Sequence, residues 1–292
     1  MPKTAAQKNK LLLLRSTKFD NLPWMLHGFS TRQGGVSRAY KGKALNLGFT
    51  PHDSRVAVER NRELFLNALD DGHPCKAWSL ISLRQIHSDL IHKVDLAGDT
   101  TLAGDGLITN TPGLAIAIQT ADCLPIILVD PKRKVVGVFH AGWRGTVKRI
   151  AEKGVGEMRR YYGCEPRNML AAIGPGVQSC CYDVGDEVRT KFQSQFSYAD
   201  SLFREVNESD PVREKYPLLF LTARAPGHSE LPTKLFLDLN EANCRQLLDA
   251  GIAAKNIDSS FPCTACNTDR LFSYRAEKGI TGRMMAAAGI RP

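Results

Sequence analysis

Residues 114–145, LAIAIQTADCLPIILVDPKRKVVGVFHAGWRG, decide the fold. They contain three β-rich apolar runs, at 114–120, 124–129 and 135–140, each of ordinary strand length. Asp130-Pro131-Lys132-Arg133 separates the last two runs, and Asp followed by Pro is typical of a type I turn. The sequence therefore predicts a β-hairpin in the middle of the chain.

The register of this hairpin brings a thiol and an imidazole together. If Asp130 pairs with Arg133, then Cys123 pairs with His140 at the open end. Directly opposed side chains share one face, with Cβ atoms roughly 4.5 to 5.5 Å apart, which is close enough to share a metal ion or a proton. A bulge at Pro125 would shift the partner by one residue and turn the two side chains to opposite faces.

A catalytic zinc site usually has three protein ligands and keeps one position open. The chain has seven histidines, and His87 follows an apolar run in Arg84-Gln85-Ile86-His87-Ser88. Spacing alone does not select the third ligand among them.

Composition and charge exclude several classes of protein. The 292 residues are 43% hydrophobic and 24% charged, the balance of a globular protein rather than of a disordered, collagen-like or coiled-coil chain. The apolar runs are far shorter than the roughly 18 to 20 residues of a membrane helix, and no secretory signal is visible, so we expect a cytoplasmic protein. The net charge of +9 comes from scattered basic residues, which makes nucleic acid an unlikely partner and agrees with an anionic small-molecule substrate.

No repeat or linker divides the sequence, so we predict a basic N-terminal tail at residues 1–20 and a single domain at 21–292. Periodicity and capping residues predict helices at 56–69, 145–162 and 238–250 and further strands at 170–173 and 218–222. Residues 193–234 lack a clear period and are expected to form loops or a peripheral excursion. The class is α/β, and the oligomeric state cannot be read from the pattern.

Eight cysteines in a chain without an export signal should mostly be reduced. Cys180-Cys181 is a vicinal pair, and Cys263 and Cys266 form a CxxC motif. Neither has the paired CxxC spacing of a structural zinc site, so we interpret them as packing thiols. A local disulfide or a second metal is the alternative.

Nine short motifs follow one another in order along the chain. They are FSTRQGGVS (29–37), NLG (46–48), QIHS (85–88), GDGLIT (104–109), TADCLP (120–125), HAGWRG (140–145), AIGP (172–175), CYDVG (181–185), and FSYR (272–275) with a later GR (282–283). Together they resemble the laccase-domain family, whose members are also called polyphenol oxidase, purine nucleoside phosphorylase or peptidoglycan editing factor. The resemblance covers about residues 24–289.

The resemblance implies a single α/β/β/α layered domain with mixed sheets. It also implies a zinc ion held by the histidine of QxHS, the cysteine of ADC and the first histidine of HAGWRG, here His87, Cys123 and His140. The implied activity is phosphorolysis of adenosine, inosine and methylthioadenosine, with adenosine deamination alongside. Some bacterial members are linked to removal of L-serine from a cell-wall precursor.

Each of these reactions needs further groups. Deamination at a zinc site needs a proton shuttle, and no Glu follows His140, so Asp105 and Asp122 are the candidates. An Asp next to a ligand can equally orient a histidine.

Phosphorolysis needs a fixed anion site. Arg32 with Gly34-Gly35 can form a backbone amide concavity beside a guanidinium, and Arg144-Gly145 places a cation at a predicted helix N-terminus. Arg275 is a further candidate for binding substrate or phosphate. Both Arg275 and Arg283 could reach the active site from the C-terminal part, or could instead form surface ion pairs.

Three other functions compete with this interpretation. Cys123 activated by His140 would be the nucleophile of an amidohydrolase that edits cell-wall precursors. Copper oxidase chemistry (Cu²⁺) is doubtful because a multicopper cluster needs paired HxH motifs, which these scattered histidines do not supply. A basic module that binds RNA or an anionic surface is the non-enzymatic alternative.

Overall fold

The computed structural model describes residues 11–40, 42–71, 78–96, 98, 102–207 and 233–292. The chain divides into two compact units, one formed by Met1–Gln178 with Leu239–Pro292 and the other by Ser179–Asp238. The predicted strand at 218–222 lies outside the described residues.

The larger unit is built on two mixed sheets. In spatial order, the first sheet contains β1 (Leu13–Leu14), β2 (Met25–Ser30), β15 (Met284–Ile290), β7 (Leu114–Thr120) and β4 (Ser79–Ser82). The second contains β14 (Ile257–Asp258), β10 (Leu170–Ile173), β8 (Leu124–Asp130), β9 (Val135–Ala141), β6 (Gly106–Thr109) and β5 (Ile91–Lys93). Outside them are β3 (Gln33–Ser37), α1 (Arg55–Leu69), α2 (Trp143–Val147), α3 (Ile150–Tyr162), α5 (Leu239–Asp249) and 3-10 turns at Thr17–Phe19, Pro166–Asn168 and Ala254–Asn256.

The core lies between the two sheets. Ile116 on β7 and Ile127 on β8 belong to one buried cluster because the sheets pack face to face. Helix α1 covers the outer face of the first sheet through Phe65, and α3 covers the second sheet where Gly154 contacts Phe139. The α/β/β/α layering and the mixed sheets are confirmed.

The smaller unit has a sheet of its own. It contains β11 (Asp183–Val184), β13 (Thr233–Leu237) and β12 (Phe203–Asn207) in that order, together with α4 (Asp186–Gln193) and a 3-10 turn at Ala199–Leu202. Residues 193–234 were expected to form loops or a peripheral excursion, and β12 and the 3-10 turn show that they do not form loops alone.

The predicted hairpin forms, but its register differs from the prediction. Asp130 pairs with Val135, not Arg133, so the loop holds four residues. Asp130 Oδ1 accepts hydrogen bonds from the backbone N–H groups of Lys132 and Arg133 (2.9 and 3.0 Å), and Lys134 turns the chain with a left-handed φ of 51°. The shift is two residues, so each side chain keeps the face that was predicted for it.

Two other boundaries also differ. The predicted tail at 1–20 already contains folded structure, because the apolar Leu13–Leu14 pairs with β2 and Phe19 is buried. The helix predicted at 145–162 is two helices, because Arg149 adopts a left-handed φ of 64° between α2 and α3. This break lets α2 follow directly on β9.

The buried His27 on β2 should make the fold sensitive to acid. Burial and the nearby Arg15 lower the pKa of His27 to about 4, and its Nε2 lacks a hydrogen-bond partner within the described residues. Between pH 6.5 and 4 the unfolded chain binds a proton that the folded chain excludes, so the free energy of unfolding should fall as pH falls, by about 3 kcal/mol. Urea unfolding at several pH values should show a weaker dependence in His27→Met, and equal dependence in both proteins would contradict this assignment.

Candidate functional site

The candidate site lies at the open end of the β8–β9 hairpin. His140 is the penultimate residue of β9 and is paired with Pro125, while Cys123 immediately precedes β8. The predicted direct pairing of Cys123 with His140 is therefore wrong. The two side chains still meet, because the register shift of two residues leaves both on the face toward the other sheet.

The third member comes from the connection between β4 and β5. His87 adopts a left-handed φ of 56°, which is uncommon for a residue with a side chain. Its Nε2 lies 4.0 Å from Cys123 Sγ, and its ring centroid lies 4.9 Å from that of His140. One ligand atom from each of the three residues lies within 4.8 Å of the others, so they could hold a metal ion.

Asp105 supports two of these residues at once. It is fully buried at the start of β6, and its Oδ1 accepts a 2.8 Å hydrogen bond from His140 Nδ1. This bond directs Nε2 of His140 toward the site. The carboxylate also accepts from the backbone N–H groups of Ile86 (3.3 Å), His87 (3.1 Å) and Ser88 (2.5 Å). Three successive N–H groups around one anion form a nest, which holds the strained His87 loop in place.

The charges of the site are strongly coupled. Burial opposes charge on Cys123 and His140, but their mutual attraction outweighs it, lowering the pKa of Cys123 and raising the pKa of His140. Burial also opposes charge on Asp105, but hydrogen bonds from His140 and Ser88 lower its pKa to about 2. The carboxylate is therefore ionised at neutral pH and the thiol is readily deprotonated.

Gln85 anchors the other end of the His87 loop. Strand β4 pairs with β7 only as far as Ala117. Beyond it, the side chain of Gln85 takes the place of a strand, donating to the Gln119 carbonyl (2.8 Å) and accepting from the Gln119 N–H (2.7 Å). Neither this role nor that of Ser88 was predicted, although both residues belong to the QIHS motif.

Gly142 forms the backbone wall of the site. A Cβ at this position would lie 2.9 Å from Cys123 Sγ and 3.3 Å from His87 Cδ2. The φ of −76° and ψ of 170° suit any residue, so only close approach requires glycine here.

Gly142→Ala should therefore lower metal affinity about tenfold while leaving the fold intact, because the added methyl group displaces two ligands. Competition with a chromogenic zinc chelator measures the affinity. Gly156→Ala is the matched control, since its Cβ would meet nothing within 4 Å. Equal zinc affinity in Gly142→Ala and wild type would show that the three side chains do not converge on a metal.

Asp122 lies beside Cys123 in a turn with a φ of 89°. Its Oδ1 accepts from Thr264 Oγ1 (2.6 Å) and its Oδ2 from the backbone N–H of Arg275 (2.7 Å). These bonds tie two C-terminal loops to the base of the site. A part for Asp122 in proton transfer stays a prediction.

The guanidinium of Arg32, predicted to bind an anion, already contacts other groups of the protein. The guanidinium pairs with Glu277 (3.0 Å) and donates to the carbonyls of Thr268 (2.6 Å) and Tyr40 (3.1 Å). Phosphate binding by Arg32 stays a prediction, and it would require exchange of these contacts.

Backbone conformation and close packing explain why residues 34 and 35 are glycines. Gly34 has a φ of 88°, and a Cβ on Gly35 would lie 2.2 Å from the Ala44 carbonyl oxygen. The pair lets two segments of the chain approach closely, and amide binding of an anion there remains untested.

Arg144 is exposed, with its guanidinium carbon 4.4 Å from the centroid of the Trp143 ring. Gly145 packs against His140, since a Cβ at this glycine would lie 3.3 Å from the His140 carbonyl oxygen. Arg275 is also exposed, and its backbone reaches Asp122. The structure thus brings Gly145 next to His140 and the Arg275 backbone next to Asp122, whereas Arg144 contacts its neighbour Trp143.

Comparison with known proteins identifies the family of this chain. The sequence profile of the family described as "Multi-copper polyphenol oxidoreductase laccase" matches residues 26–291. The chain belongs to this family. Among its laccase-family relatives, the purine nucleoside phosphorylase YlmD of Bacillus subtilis is 31% identical over 91% of this chain and 89% of its own length. The adenosine deaminase RL5 of an unknown prokaryotic organism is 32% identical over 86% of this chain and 88% of its own length.

A solved laccase-family structure shows the same fold. YlmD from Geobacillus stearothermophilus superposes with a TM-score of 0.78 at 31% identity, covering 100% of both chains. Nucleoside-processing enzymes are thus among the similar members of the family. Across the described residues, none of the helices has the length and apolar character needed to cross a membrane.

Proposed function

We propose that this protein is a cytoplasmic, zinc-dependent purine nucleoside phosphorylase that accepts adenosine, inosine and methylthioadenosine and also deaminates adenosine. The observation that carries the proposal is the convergence of His87, Cys123 and His140 in a chain whose relatives bear both enzyme names. Phosphorolysis transfers the ribosyl group to phosphate, whereas deamination replaces the amino group at C6 with oxygen from water.

The donor set fits zinc. Two imidazole nitrogens and one thiolate are ligands that zinc prefers, and three protein ligands leave a position open for catalysis. Cys123 Sγ and His87 Nε2 lie 4.0 Å apart, so both could bind the same metal ion. If bound by these three residues, a zinc ion would supply Lewis acidity for the reaction.

The chain's own residues hold the reacting groups in place. Asp105 keeps Nδ1 of His140 protonated, because its carboxylate accepts that proton's hydrogen bond. Its two oxygens accept five hydrogen bonds in all, so orienting His140 and the His87 loop is the role best supported for it. Asp122 is the remaining candidate for proton transfer to the leaving group, and Arg144 for contact with an anionic substrate.

Chromatography of the products tests the proposal. Wild-type protein should convert adenosine to adenine and ribose 1-phosphate only when phosphate is present, with inosine reporting deamination. Release of adenine at the same rate without phosphate would instead indicate hydrolysis. Absence of adenine, hypoxanthine and inosine alike would exclude the purine function.

The position of Cys123 between two imidazoles also suits a nucleophile. We therefore keep, as a second candidate, an amidohydrolase that removes L-serine from a cell-wall precursor. The two uses compete, because a metal-bound sulfur is a poor free nucleophile. Alkylation of Cys123 by iodoacetamide that persists at saturating zinc would favour the amidohydrolase, and protection by zinc would favour the phosphorylase.

Copper oxidase chemistry is less well supported than zinc, despite the family's name. Among the residues that the structure describes, His87 and His140 are the only histidines in a cluster able to hold a metal. A multicopper centre needs several more imidazoles.

A further inference from the structure

A group of cationic and aromatic side chains surrounds the loop Asn46-Leu47-Gly48-Phe49 in the larger unit. Arg283 directly precedes β15, whose first residue, Met284, pairs with Thr120. Thr120 ends β7, and Cys123 follows three residues later. Arg283 therefore lies at the same end of the first sheet as Thr120, the end after which the chain continues to Cys123.

A second contact links Arg283 to the same end. Its guanidinium carbon lies 5.7 Å from the ring centroid of the exposed Tyr274. The next residue, Arg275, donates its backbone N–H to Asp122 at 2.7 Å, and Asp122 precedes Cys123. Both connections place Arg283 at the same end of the first sheet as the candidate site.

Arg283 is a partly buried cation that forms no ion pair with any of the described residues. Its Nη1 donates to the carbonyls of Thr281 and Gly282, both at 3.1 Å. Within the described part of the chain, its Nε and Nη2 donate no hydrogen bond and no carboxylate lies within ion-pair distance. A guanidinium that has lost water without gaining an anion is poised to bind one.

Arg62 brings a second cation to the same loop. From α1, its Nε donates to the Leu47 carbonyl at 2.9 Å, and its guanidinium carbon lies 4.4 Å from the exposed Phe49 ring. Gly48 makes room between them, since a Cβ there would lie 2.6 Å from Arg283 Cγ. Only glycine at this position lets the Arg283 side chain lie across the loop.

We propose that Arg283 binds the phosphate co-substrate, with Arg62 adding positive charge from the other side of the loop. This inference rests on the proposed phosphorolysis. The unused Nε and Nη2 form the fork that binds two phosphate oxygens. Arg32 is a weaker candidate because its guanidinium already pairs with Glu277, and Arg144 because it is exposed and keeps its hydration.

Steady-state kinetics with varied phosphate tests the assignment. Arg283→Gln should raise KM for phosphate at least tenfold and change KM for adenosine less than twofold. Arg283→Lys keeps the charge but loses the fork, so its KM for phosphate should fall between the two. Arg160→Gln, on the exposed side of α3, is the control and should match wild type. Zinc content and melting temperature confirm that each variant is folded.

Other outcomes would overturn the proposal. An unchanged KM for phosphate in Arg283→Gln, or a rise in Arg144→Gln alone, would place phosphate elsewhere. Equal rises in both KM values would show a structural role. If wild type shows no phosphorolysis, the proposed function fails, and titration of inorganic phosphate followed by isothermal calorimetry then decides the subsite separately. Binding that Arg283→Gln abolishes supports the subsite, and absence of binding to wild type excludes it.

Discussion

Asp105→Asn should lower zinc affinity by about 10- to 100-fold and the free energy of unfolding by about 3 kcal/mol. An amide has one oxygen, so it can accept either from His140 Nδ1 or from the His87 loop, while its NH₂ group faces donors. The His140 ring then loses its fixed tautomer, or the left-handed turn at His87 loses its anion. Urea unfolding of metal-free protein measures the stability change, and chelator competition measures the zinc affinity.

Asp89→Asn is the matched control, because Asp89 lies on the same loop but forms surface ion pairs with Lys148 and Lys153. Such pairs contribute about 0 to 1 kcal/mol, so this variant should bind zinc as wild type does. Wild-type zinc affinity in Asp105→Asn would show that Asp105 does not orient the ligands.

Cys123→Ala should have the largest effect, a loss of about a thousandfold or more in zinc affinity together with loss of phosphorolysis. Removal of the thiolate leaves two neutral imidazoles, which cannot match the charge of the metal. Metal analysis after gel filtration should find about one zinc fewer per chain than in wild type.

Cys244→Ala controls for the general loss of a thiol, because Cys244 lies half-buried on α5 with its Sγ 3.9 Å from Asn240 Oδ1. It should keep its zinc and its activity. If Cys123→Ala retained the wild-type zinc content, Cys123 would not be a ligand. The amidohydrolase would then become the better account of this cysteine.

The hairpin shows what sequence reasoning can establish. The β-rich apolar runs and the turn residues predicted β8 and β9. The two-residue period of a strand then predicted that Cys123 and His140 share a face. The pairing itself was wrong by two residues. The length of the hairpin loop depends on Lys134 adopting a left-handed conformation, which could not be predicted from the sequence.

The position of His87 could not be predicted from local sequence pattern. Its position depends on Asp105, a residue 18 positions away that collects three backbone N–H groups from its loop, and on the edge contact made by Gln85. Neither interaction has a periodicity to detect. Only the resemblance to a family selected His87 among seven histidines.

The arginines show the same limit for electrostatics. Arg32 beside two glycines resembled an anion site, but Glu277 arrives from 245 residues away to pair with it. The sequence left two roles open for Arg283, an active-site contact and a surface ion pair, and within the described residues no carboxylate pairs with it. Whether an arginine pairs with a carboxylate depends on segments that are distant in sequence. Composition and spacing therefore cannot predict such an ion pair.

Zinc titration into metal-free protein, followed by adenine release at saturating phosphate, tests the central claim most directly. We expect metal-free protein to release no adenine. The rate of release should rise with added zinc and saturate at one zinc per chain beyond the zinc that Cys123→Ala retains. Cys123→Ala itself should be inactive. Full adenine release by metal-free protein or by Cys123→Ala would contradict a zinc-dependent phosphorylase at His87, Cys123 and His140.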